Sequence, residues 1–150
     1  YSGVSIGWFG QGTIASNSTV AHNDISYTNT RFSDGAGLYA MEGAAGDQFN
    51  ANYIHDISTT DAGFASNLRS GLYLDHAASG ITAADNQLTN IPTGIFLQSD
   101  PTVPAVNNTI SHTTAMGVDK LIFAKDYPSS NVVDIVVGNN SATISAAGVQ

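Results

Sequence analysis

Gly37-Leu38-Tyr39-Ala40 and Gly71-Leu72-Tyr73-Leu74 are near-copies of one phrase, 34 residues apart. An aspartate accompanies each copy, Asp34 three residues before the first and Asp75 directly after the second. Between them stands Asn52-Tyr53-Ile54-His55-Asp56. Outward from this stretch, Gly followed by alternating apolar residues recurs at Gly3-Val4-Ser5-Ile6, at Gly94-Ile95-Phe96-Leu97 and, weakly, at Gly117-Val118, in steps of 34, 34, 23 and 23 residues. A second phrase, Asn-x-apolar, falls between the glycines at Asn23-Asp24-Ile25, Asn52-Tyr53-Ile54, Asn86-Gln87-Leu88 and Asn108-Thr109-Ile110.

Short apolar alternations of period two, punctuated by Gly and Asn, specify strands, and no window carries a capped 3.6-residue stripe. Several short strands in a repeat near 23 residues predict an all-β solenoid, a parallel β-helix of about five to six turns. Each turn then stacks on the last at about 4.8 Å, with apolar residues inward and the repeated Asn amides hydrogen-bonded in a ladder. A β-sandwich would not keep two phrases in constant order, and a leucine-rich repeat needs denser leucine. The chain reads as one domain, residues 1–150, with coils over about 1–125 and a terminal strand or cap over 126–150. Because it begins mid-pattern at Tyr1, the sequence predicts a fragment of a longer helix with upstream coils missing.

The 150 residues are 42% hydrophobic but only 11% charged, with a net charge of −8. Polarity carried by Asn, Ser, Thr and Gly is the pattern of extracellular all-β proteins. The only cations are Arg31, Arg69, Lys120 and Lys125, too few to neutralise a phosphate backbone, so nucleic acid and anionic membrane are excluded as partners. The absence of cysteine excludes disulfides and thiolate zinc sites. The histidines show no zinc spacing, and no run of alternating acids suits calcium; neither a metal nor a cofactor is expected.

The first two turns carry about 11 extra residues each, mostly after the Asn phrase and before the Gly phrase. The loops 26–36 and 55–70 are therefore expected to form neighbouring walls, with 7–16 as a possible third. Aligned on the glycines, one column contains Gly7, Met41, Asp75 and Gln98, and the next Trp8, Glu42, His76 and Ser99. Aromatic rings beside carboxylates suit sugar rings, which offer apolar faces and hydroxyl edges. Glycoside hydrolysis needs two carboxyls flanking one bond, about 5–5.5 Å apart for retention or about 6.5–9.5 Å for inversion. Asp75 is the first candidate, Asp34 its leading partner, and Glu42 the reserve. On straight strands Asp34 and Asp75 would be more than about 20 Å apart. The pair therefore requires the chain to fold back near Gly35-Ala36-Gly37.

The order Gly3-Val4-Ser5-Ile6-Gly7-Trp8, Asn23-Asp24-Ile25, Ser33-Asp34-Gly35-Ala36-Gly37-Leu38-Tyr39, Asn52-Tyr53-Ile54-His55-Asp56 and Gly71-Leu72-Tyr73-Leu74-Asp75 resembles a family of secreted, mostly bacterial right-handed parallel β-helix proteins related to α-L-fucosidase and xylanase-type glycoside hydrolases. The likeness covers about residues 1–112. It implies a right-handed coil, a secreted or cell-surface (or periplasmic) location and a catalytic aspartate pair at Asp34 and Asp75. The sequence departs from the family wording at Ala36, where Gly is usual, and at His76, where an acid is common.

The expectation is a glycoside hydrolase acting on a neutral or weakly charged extracellular plant or microbial glycan. Trp8, Tyr39, Tyr73, His55, Asp56, His76 and Arg69 are expected to bind the sugar. A polysaccharide lyase on the same fold is the nearest alternative, with only Arg31 or Arg69 available as a basic group. A non-catalytic adhesin, tail-fibre or ice-binding coil is the other.

Overall fold

A computed structural model describes residues 2–7, 16–30, 34–42, 45–57, 69–125 and 136–144. Those residues form fifteen strands and no helix. The strands fall in three parallel five-stranded sheets, each coil of the chain adding one strand to every sheet. The first sheet contains β1 (Val4–Ile6), β4 (Gly35–Met41), β7 (Arg69–Asp75), β10 (Thr93–Gln98) and β13 (Lys120–Lys125). The second contains β2 (Thr19–Ala21), β5 (Gln48–Asn50), β8 (Thr82–Ala84), β11 (Thr109–Ser111) and β14 (Val136–Gly138). The third contains β3 (Asp24–Ser26), β6 (Tyr53–His55), β9 (Gln87–Thr89), β12 (Thr114–Val118) and β15 (Ser141–Ile144). This is the expected right-handed parallel β-helix, with about five turns.

The register explains the first phrase. Leu38 pairs with Val4 and Leu72, and Leu72 with Ile95. These side chains enter one core with Ile54, Leu88, Ile110 and their neighbours. The glycines are there because the wall is too close for a side chain. A Cβ on Gly37 would collide with Ile54 Cγ2, and one on Gly71 would meet Gly94 O at 2.8 Å and Leu88 Cδ2 at 2.9 Å.

The repeat ends differently from its sequence reading. Lys120–Lys125 is the strand that stacks on Thr93–Gln98, so Leu121, not Gly117, follows Gly94 in the column. Gly117 lies in β12, and the last step in the first sheet is 27 residues, not 23. One glycine phrase resembles another, but the column is set by backbone pairing.

The Asn ladder is present, with a different membership. Asn23 Nδ2 donates to Asn52 Oδ1 at 2.9 Å, and Asn52 Nδ2 to Asn86 Oδ1 at 3.1 Å. Each oxygen also accepts the backbone N–H of the preceding ladder residue. Thr113 continues this column, its N–H donating to Asn140 Oδ1 at 2.7 Å. Asn108 belongs to another corner, where its Oδ1 accepts Ile81 N–H and its amide donates to Ala78 O. Both corners need an acceptor for an inward N–H, so the same residue type serves both and its sequence phrase cannot tell them apart.

The connections from the third sheet to the first, after β3 and β6, contain the long insertions expected there. Residues 31–33 and 58–68, including Arg31 and Asp61, lie outside the described residues. Residues 8–15 also lie outside them. The third wall expected over 7–16 therefore falls almost wholly outside the described residues.

Candidate active site on the outer face of the first sheet

Side chains alternate along a strand, so the neighbours of the core leucines point outward. In the first sheet these are Tyr39, Tyr73, Phe96 and Phe123, paired in register across four coils. Tyr39 meets Tyr73 edge-on at 5.1 Å, Tyr73 stacks on Phe96 at 4.4 Å, and Phe96 lies 5.2 Å from Phe123. Tyr73 and Phe96 are buried, with Ala36 packed beside them. At Ala36 a methyl group thus fits against this aromatic wall.

Two residues further along lies the column of Met41, Asp75, Gln98 and Lys125. Asp75 is only 3% exposed. A buried carboxylate demands hydrogen-bond donors. The Tyr39 hydroxyl donates to Oδ2 at 2.5 Å, while His76 N–H and Gln98 Nε2 donate to Oδ1 at 2.7 and 2.9 Å. The Tyr73 hydroxyl also donates to Gln98 Oε1 at 3.4 Å. Burial, followed by the hydrogen bond to Asp75 and the charges of Asp75 and Asp34, raises the Tyr39 hydroxyl well above its usual range. Burial and the same two charges do so for Tyr73. Both phenols are therefore donors at any ordinary pH.

Asp34 precedes β4 in the left-handed backbone region, at φ 67°. The residue is exposed. Its pKa is raised above the usual 3.8, first by desolvation of the carboxyl and then by the negative charge of Asp75. His76, a hydrogen bond from Tyr73 and Lys125 oppose the shift. Asp34 is thus electrostatically coupled to Asp75, His76 and Lys125, although its strand position is seven residues upstream of the Asp75 pairing. The left-handed turn at Asp34 itself accompanies this reach, one residue before the glycine pair singled out in the sequence.

On the side where the strands leave the sheet, Glu42, His76, Asp100, Thr102 and Val103 line a cleft of about 590 Å³. Glu42 N–H donates to Asp75 O at 3.3 Å, which seats the glutamate on the neighbouring coil. His76 Nδ1 faces Asp100 Oδ2 at 3.2 Å. Hydrogen bonds from the Thr102 hydroxyl and N–H, at 2.7 and 2.8 Å, lower the Asp100 pKa.

Asp34, Asp75, Tyr39, Tyr73 and His76 thus form one connected group, with Glu42 at its edge. Arg69 opens β7 opposite Gly35, at the other end of the strand from Asp75. Trp8 lies outside the described residues. His55 and Asp56 are not brought into this group. His55 ends β6 on the third sheet, where its Nε2 faces Asp24 Oδ1 at 2.9 Å and its Nδ1 faces Asp56 Oδ2 at 2.8 Å. Adjacent insertions in sequence suggested a shared wall, but the strand before the insertion faces a different side of the coil.

Sequence reasoning passed over Gln98, Asp100 and Thr102. Gln98 stood in the Asp75 column, and its proximity to a buried carboxylate was the available signal. Asp100-Pro101-Thr102 reads as a turn, and nothing in its spacing points at His76. Among the described residues, no three His, Asp or Glu side chains are grouped as a metal ion would require. Compared with known protein families, with curated proteins and with solved structures, the chain matches none.

Proposed function

We propose that this β-helix is a glycoside hydrolase acting on a neutral extracellular glycan. The observation that carries the reading is the opposed environment of two coupled carboxyls. Desolvation of the Asp34 carboxyl and the negative charge of Asp75 favour its protonated form. Asp75 is an acceptor held by three donors. Two carboxyls with such different surroundings are suited to opposite tasks.

In this reading Asp34 delivers its proton to the glycosidic oxygen as the C–O bond breaks. The negative charge of Asp75 stabilises the oxocarbenium-like carbon that results, and Asp75 then acts on that carbon or on the water that attacks it. Because Asp75 is so little exposed, the Tyr39 hydroxyl must move off Oδ2 for a sugar to meet it. Tyr39 and Tyr73 offer ring faces and hydroxyl donors, and the Glu42–His76–Asp100 cleft offers room for further sugar units. The motif likeness to fucosidase and xylanase-type β-helix proteins supports the same reading, which includes a secreted location.

The test is reducing-end release from a panel of neutral plant and microbial polysaccharides. Wild type is expected to cleave at least one. Asp75→Asn and Asp34→Asn should each lose about 10²–10⁴-fold in rate, the usual contribution of a positioned acid or base, with an unchanged β-rich CD spectrum. Full activity in either variant removes this assignment.

Lys125 sits next to Gln98 in the same column and supports a second reading, a lyase with a lysine near the scissile bond. An unsaturated product, seen by ultraviolet absorbance and abolished by Lys125→Ala, would favour it.

A further inference from the structure

The third sheet presents its own outer face, away from the Asp34–Asp75 group. Its outward residues form two columns. One is Asp24, Tyr53, Gln87, Thr114 and Ser141; the other is Ser26, His55, Thr89, Met116 and Thr143. Two observations distinguish this face.

The first is a cluster of aromatic rings in the open. Tyr27 is 69% exposed and Tyr53 is 38% exposed. The His55 ring stacks on Tyr53 at 4.3 Å and meets Tyr27 edge-on at 6.4 Å. Asp24 and Asp56 hold both nitrogens of that ring, and Asn90 Nδ2 donates to Asp56 Oδ1 at 3.0 Å, so the platform is braced across three coils. Exposed aromatic rings are costly to present to water, and here they are fixed in place.

The second is a groove of about 220 Å³ on the same face, lined by Gln87, Thr89, Thr114, Met116, Ser141 and Thr143. It begins on β9, the strand that pairs with the strand of Tyr53 and His55. Rings and groove together cross five strands, a strip about 19 Å long at about 4.8 Å per step.

We propose that this strip is a second, non-catalytic binding site for an extended neutral oligosaccharide. Sugar C–H faces pack on tyrosine rings, and hydroxyls pair with the Gln and Thr side chains and with Asp24. The charge pattern selects against polyanions. The five strands contain no Lys or Arg, Asp24 and Asp56 lie beside the rings, and the chain carries a net charge of −8. A site of this kind would hold the chain on its polymer while the first sheet acts. The proposal rests on the reading of the protein as one that handles glycans.

The experiment is amide NMR on the full chain with cellohexaose, xylohexaose and mannohexaose. At least one should shift the amides of β6, β9 and β12. Tyr53→Ala should weaken that binding at least about tenfold, the effect of losing one stacked ring worth about 1.4 kcal/mol. Tyr27→Ala, on a more exposed side chain, should weaken it too and guards against a folding defect at Tyr53. A hexasaccharide that shifts only β4, β7 and β10 overturns this site and leaves the hydrolase reading standing. No shift anywhere with all three also overturns it, and the hydrolase reading then stands or falls on its own cleavage assay. Shifts on this face that follow protein concentration without sugar would identify it as a self-association surface, and the proposal would fail.

Discussion

Asp34 adopts a backbone that costs an ordinary residue about 1–2 kcal/mol and carries a carboxyl whose charge the fold disfavours. Because its folded pKa lies above the usual 3.8, ionisation of Asp34 destabilises the native state at neutral pH. Asp34→Asn removes that charge, and Asn tolerates the left-handed region well. The variant should therefore melt higher than wild type at pH 7, with the electrostatic part of the gain vanishing below about pH 3.8, while activity falls. Scanning calorimetry at the two pH values checks this. A variant that melts lower at pH 7 would show that the charge is structural. If Asp34 is the proton donor, activity must also fall as pH rises through its raised pKa, and the alkaline limb of the rate profile should disappear in Asp34→Asn.

His55 also has a raised pKa, but here it is the charged form that the fold stabilises. Hydrogen bonds and charges from Asp56 and Asp24 raise its pKa, with desolvation opposing. A raised histidine contributes stability that is complete below the unfolded value of about 6.5 and lost as pH rises through the folded value. Asp56 has a lowered pKa, from Asn90 first and then His55, so its share is lost as pH falls through that lowered value, below the usual 3.8. His55→Gln should therefore cost more stability at pH 6 than at pH 9, measured by urea unfolding. An equal loss at both would mean that the ring acts by stacking on Tyr53 alone.

At the scale of the element, the Asn ladder is the device most open to test. Asn86 is fully buried; its Oδ1 accepts Asn52 N–H and Nδ2–H, and its amide donates to Phe49 O. Asn86→Ala strands those groups inside the corner, at about 1–3 kcal/mol for each one left unsatisfied. A loss of about 3 kcal/mol in chemical unfolding is expected. Gly71→Ala should cost about 1–3 kcal/mol by overpacking, since its Cβ would press on the Gly94 carbonyl. The recurrence of both residue types was legible because each coil repeats one steric demand. Asn108 was assigned to the wrong column because two corners of a coil can make the same demand, and Gly117 because a left-handed glycine at the register shift in β12 reads like a glycine of the close-packed wall.

At the scale of the molecule, stability in a solenoid is shared between each coil and its neighbours. β7 and β10 have partners on both sides and are buried along their whole length, apart from the partly buried Arg69, while β1 and β13 sit at the ends of the first sheet and are partly exposed. Amide exchange should therefore be slowest in β7 and β10 and fastest at the two ends. Uniform protection would show one cooperative unit.

The amino-acid sequence alone determined the strand type, the coil architecture and the two phrases that line core and corner. These follow from local periodicity, and periodicity is written in one dimension. It also marked Asp34 and Asp75 by their departure from the repeat. Only the tertiary structure decided that Asp34 is coupled to Asp75, that His55 and Asp56 belong to another face, and that Gln98 and Asp100 join the site. Those depend on which way the backbone turns at a single left-handed residue and on which coil neighbours which, and both are set by pairing between residues far apart in the chain.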